Sequence, residues 1–83
     1  MLVKNFSGNR VEGDVELERV VDAVRVYLES KYGEVEFEVV RTFDRGEVYE
    51  VAGVFRRKGE RMFRRFTFLI NSKTYAVEAF GLR

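Results

Sequence analysis

Several stretches of this sequence have residue types and spacings that could support chemistry. Glu34, Glu36 and Glu38 alternate, which on a strand would line up three carboxylates on one side and offer oxygen ligands to Mg²⁺ or Ca²⁺. Alternating Glu is also the ordinary pattern of a solvent-facing strand side. No Gly-rich phosphate loop or nucleophile motif accompanies it. The chain has no His and no Cys, which removes the commonest general base, the commonest metal ligand and any thiolate. No catalytic residue, metal site or cofactor is expected, and the chain reads as non-enzymatic.

A second group is basic. Arg56, Arg57, Lys58 and Arg61 cluster with Arg64 and Arg65, and Phe55, Phe63 and Phe66 are interleaved among them. Phosphates attract such a patch, and aromatic rings can stack on bases. The stretch lacks the glycines and paired aromatic spacing of an RNA-recognition motif. Nucleic-acid binding is one reading, and a solvated hairpin whose charges protect a sheet edge is the other; the alternation favours the second, because it turns Phe55 and Phe66 inward.

These groups must be positioned by the elements around them. Asp14–Tyr32 is the single helical segment: Leu17, Val20, Val21, Val24 and Leu28 recur at spacings of three and four, which makes one apolar stripe. Asp14 is the expected N-cap and Gly33 the stop. After Gly33 the period drops to two, and strands are expected over residues 34–43, Glu47–Arg57, Glu60–Ile70 and Lys73–Leu82. The turns are expected at 44–46, 58–59 and 71–72, and Met1–Phe6 is a candidate further strand. The fold class is α+β: one helix packed on a curved antiparallel meander of four to five strands.

Turn lengths imply a register. Phe37 falls opposite Gly53, Val51 opposite Phe66, Phe55 opposite Met62, and Phe66 opposite Val77. One face then holds Phe37, Val39, Phe43, Tyr49, Val51, Phe55, Met62, Phe66, Phe68, Tyr75, Val77 and Ala79, against the helix. Arg64 and Arg41 also fall on that face. There Arg64 either meets a helix carboxylate such as Asp22 or Glu29, or sits at the sheet margin, or forms a cup with Arg41, Tyr49 and Tyr75 for a small anionic ligand.

The opposite face places Val54, Phe63 and Phe80 in one row, Leu69 nearby, and Arg65 opposite Glu78. One helix cannot cover both faces, and a contiguous apolar patch in water often marks an interface; an amphipathic face partly covered by the N-terminal segment or by long Arg stems is the other reading. The expected role is therefore a binding or assembly module. It would act as a homodimer through Val54, Phe63, Arg65, Leu69, Glu78 and Phe80.

The element order β-α-β-β-β-β resembles the cystatin-like arrangement, and the strand–turn–strand at Arg65–Phe80 is similar to PepSY-type modules. No cystatin-type inhibitory loop can be placed, so the resemblance implies a fold and not protease inhibition.

With 83 residues the chain is one domain, near the lower end of what folds alone. Residues 1–50 carry seven Lys/Arg against twelve Asp/Glu, and residues 51–83 carry eight against two; such halves neutralise each other within a fold or across a dimer. The absence of Gln and the density of Glu and Arg resemble a thermophile's composition. No signal peptide or membrane span is expected, and the expected location is the cytoplasm.

Overall fold

The computed structural model describes residues 14–83; the candidate strand Met1–Phe6 lies outside the described residues. Helix α1 runs Asp14–Tyr32, the span that the period of three and four predicts. It ends as expected: Gly33 takes a φ of 85°, open to glycine without a Cβ clash, and its N–H donates to the Glu29 carbonyl at 2.9 Å. Val20, Val21, Val24 and Leu28 are buried, so the apolar stripe is the face that meets the sheet.

Four antiparallel strands follow: β1 Val35–Asp44, β2 Val48–Arg57, β3 Arg64–Asn71 and β4 Val77–Leu82. They lie side by side in the order β1-β2-β3-β4. The chain is thus an α+β fold, one helix packed on a four-stranded antiparallel sheet. Phe37, Phe55, Phe66, Phe68 and Ile70 form the core with the helix stripe.

Each hairpin is out of the predicted register, for a physical reason in each case. Between β1 and β2, Phe37 pairs with Phe55 and Val39 with Gly53, two residues from the prediction, which leaves the faces unchanged. A bulge at Val40 then makes Arg41 pair with Ala52, Thr42 with Val51 and Phe43 with Glu50. One extra residue exchanges the faces, so Arg41 and Phe43 point away from the helix and Thr42 takes the inner position.

Between β2 and β3, Val51 pairs with Phe68 and Gly53 with Phe66. The turn at Lys58-Gly59 forms, with Gly59 at φ 95°, but residues 60–63 stay outside the strands and Met62 is exposed. Gly53 explains the register. A Cβ there would meet the Phe66 ring at 2.6 Å and would collide with the Glu38 carbonyl, so the Phe66 ring uses the space that glycine leaves.

Between β3 and β4 the connection is longer than two residues. The Asn71 carboxamide oxygen accepts the N–H groups of Lys73 at 2.8 Å and Thr74 at 2.9 Å. This Asx arrangement delays the return strand to Val77. Phe68 pairs with Phe80, and a bulge at Glu78 separates Leu69–Ala79 from Ile70–Val77. The shift is odd, so Phe80 lies on the helix side, its ring centroid 4.9 Å from those of both Tyr27 and Phe68. Ala79 moves to the opposite side.

Candidate functional site: the outer sheet face

The face away from the helix can be read row by row across the strands. Glu36 pairs with Arg56; Glu38 with Val54 and Val54 with Arg65; Arg41 with Ala52 and Ala52 with Thr67; Phe43 with Glu50 and Glu50 with Leu69. On β4, Gly81 continues the Thr67 row and Ala79 the Leu69 row. The Arg83 N–H donates to the Arg65 carbonyl at 3.1 Å, which sets Arg83 at the end of the Glu38–Val54–Arg65 row.

Apolar side chains remain in water here. Val40 is 55%, Phe43 44% and Phe63 48% exposed, with Val54 and Leu69 half-buried. The middle of the face is low because Ala52, Thr67 and Gly81 are small. It forms a groove of about 470 Å³ bordered by Arg41, Phe43, Val54, Arg65 and Arg83.

The charges divide into paired and unpaired sets. Arg56 donates to Glu36 at 2.8 Å and stacks over Phe63 at 4.7 Å. Arg45 donates to Glu50 at 2.6 and 2.9 Å. Among the described residues, Glu38 has no cation beside it, and Arg41, Arg65 and Arg83 have no carboxylate; Arg41 instead lies over the Phe43 ring at 5.6 Å.

The predicted interface set is therefore only partly brought together. Val54, Arg65 and Leu69 share the outer face and Phe63 borders it at Arg56. Phe80 does not belong, since the bulge at Glu78 sends it into the core. Arg65 is not opposite Glu78: it faces Val54, while Glu78 sits in the bulge and accepts from the Asn71 carboxamide at 2.8 Å. The predicted interface set left out Val40, Phe43 and Arg83. The adjacent Val39-Val40 breaks the alternation and was the available sign of a bulge.

Of the basic hairpin, Arg56 is engaged by Glu36, Arg57 lies 4.0 Å from Glu60, and Lys58 lies 3.5 Å from Glu34. Only Arg61 of the four has no carboxylate among the described residues. The predicted cup does not assemble. Arg64 pairs with Phe55 at the exposed start of β3, Arg41 is on the other face, and Asp22 pairs with Arg25 at 2.6 Å. Tyr49 and Tyr75 do meet, at 6.1 Å between rings. The cation over Tyr75 is Arg19, at 4.9 Å, beside a cleft between α1 and β4 lined by Ala23, Val26, Tyr27 and Val77.

Among the described residues there is no group of three or more side chains suited to a metal ion, and no helix long and apolar enough to cross a membrane. The fold and the outer face define a small α+β domain. No family model, no curated protein and no solved structure matches the chain.

Proposed function

We propose that this domain is a non-enzymatic assembly module that acts as a homodimer, each copy covering the outer sheet face of the other. One observation carries the reading: Val40, Phe43 and Phe63 stay about half exposed around Val54 and Leu69, with no described element over them. Contiguous apolar surface of this kind is stabilised by removal from water, at about 25 cal/mol per Å². Four strands of six to ten residues make a face on the order of 20 by 30 Å. That approaches the roughly 800 Å² that each partner gives a stable interface. Within this reading the protein is cytoplasmic.

Light scattering tests it. The wild type is expected near twice the chain mass of 9.8 kDa, and Phe63→Asp, a change outside the strands, near the single mass. A wild type that stays at the single mass at high concentration would sink the homodimer.

A second reading is supported by Arg41, Arg65 and Arg83, which border one groove and make no ion pair; Glu50, which also lines it, is held by Arg45. In that reading the groove holds an anionic ligand, with the Thr67 hydroxyl as a further donor. Titration with inorganic phosphate and with mixed single-stranded nucleic acid checks it. Binding must weaken as salt is added, and no binding at low ionic strength ends the idea.

A further inference from the structure

The outer face carries its unpaired carboxylate and its bulk on one edge and two unpaired cations on the other. On β1 are the carboxylate of Glu38, the large side chain of Phe43, and Arg41, whose guanidinium lies over the Phe43 ring without a carboxylate. On the β3–β4 side are the unpaired cations of Arg65 and Arg83 and the small residues Ala79 and Gly81. The row Glu38–Val54–Arg65–Arg83 thus reads acid, apolar, base, base from one edge of the sheet to the other.

An isologous contact presents the same patch twice, so residue i meets residue j and j meets i. A two-fold axis along the strands reverses strand order between the layers and puts β1 over β4. An axis across the strands puts β1 over β1, so the bulky edges meet each other and the small edges face a gap. Aligned packing of two sheets, at about 30° between strand directions, is compatible with either, so charge and shape decide.

We infer that two copies stack outer face to outer face about a two-fold axis running along the strands, with Glu38 set against the partner's Arg65 and the partner's Arg83. Phe43 then lies over the partner's Ala79, and Arg41 over the partner's Gly81. This arrangement rests on the homodimer reading above and adds the partner's orientation to it. It also gives Glu38 and the Arg65–Arg83 pair the opposite charge that each lacks within one copy, while Arg41 keeps the Phe43 ring as its neighbour.

Charge reversal tests the arrangement. Glu38→Arg alone sets three cations together, and Arg65→Glu with Arg83→Glu sets three carboxylates together. Each variant is expected to dimerise at least about tenfold more weakly than wild type. An equimolar mixture of the two is expected to give a mixed dimer, seen as one intermediate mass by native mass spectrometry. Wild-type dimerisation by both variants would overturn the orientation and leave the homodimer standing. So would a mixture that stays monomeric. A monomeric wild type would overturn the homodimer itself.

Gly81→Leu gives a check free of charge effects. A Cβ at Gly81 meets nothing within 4 Å in the single chain, so the far-ultraviolet circular dichroism is expected to stay unchanged while the dimer is lost. A Gly81→Leu dimer of wild-type affinity would contradict the arrangement.

Discussion

The same four strands present two different surfaces. Toward the helix, Phe37, Phe55, Phe66 and Phe68 are buried, the last three in ring contact along the sheet, with Tyr27 and Tyr32 of the helix closing on Phe68 and Phe55. Away from the helix, Phe43 and Phe63 remain in water beneath arginines. The difference follows from the helix. Its stripe of Val20, Val21, Val24 and Leu28 fits one face, and no second stripe exists among the described residues. Folding of the chain is thus held by the inner face, and the proposed association would fall to the outer one.

The largest loss is expected where the inner face is cut. Phe68 is buried and its ring lies 5.3 Å from Tyr27, 5.2 Å from Phe66 and 4.9 Å from Phe80. Phe68→Ala is expected to cost about 4 kcal/mol, from lost transfer energy and the cavity left behind. Urea unfolding at a dilution that keeps chains apart measures it. Phe43→Ala, on the outer face, is expected to cost roughly 1 kcal/mol or less by the same method, because its ring keeps part of its water contact when folded. Equal losses at the two positions would remove the distinction between the faces.

Gly53→Ala comes next. The added methyl would push on the Phe66 ring and on the Glu38 carbonyl, and a backbone atom beside a bulge has little room to move. Overpacking of this kind is expected to cost about 2–3 kcal/mol, read as a lower urea midpoint with an unchanged slope. A neutral Gly53→Ala would mean that β1 and Phe66 shift freely, contrary to the reason given for the register.

These positions also show where the sequence was legible. The helix could be read to its ends because its periodicity and its Gly33 stop are local signals. The alternation of Phe37 and Val39, and of Phe66, Phe68 and Ile70, correctly gave the inner face. Reading failed wherever a face depended on the parity of the register. The bulges at Val40 and at Glu78 each add one residue, which moves Arg41 and Phe43 outward and Phe80 inward. Loop length between strands follows from side-chain capping by Asn71 and from ring packing over Gly53, and neither shows in an alternation pattern. Of the proposed interface, Val40, Val54, Arg65 and Leu69 were therefore legible as outer residues, and Phe43 was not.

Thr42 sharpens the comparison on a smaller scale. The bulge turns it inward, and its hydroxyl oxygen is buried with no hydrogen-bond partner among the described residues. A buried polar group in that state is destabilising, and an isosteric apolar side chain removes the penalty. Thr42→Val is expected to raise stability by about 1 kcal/mol, seen as a higher urea midpoint. A loss instead would show that the hydroxyl is satisfied in solution.

The smallest expected effect belongs to the outer face. Arg56 and Glu36 form an ion pair 2.7 Å long, with side chains 33% and 44% exposed, so water and salt screen their attraction. The Phe63 ring against the guanidinium shields one side of the pair. A double-mutant cycle with Arg56→Ala and Glu36→Ala is expected to give a coupling of roughly 0.5 kcal/mol at low salt, falling as salt is added. Repeating the cycle in a Phe63→Ala background is expected to lower the coupling further, because the pair then faces water on both sides. A coupling of several kcal/mol, or one indifferent to salt, would mean that this end of the outer face is as dry as the core, and the contrast between the two faces would not extend to it.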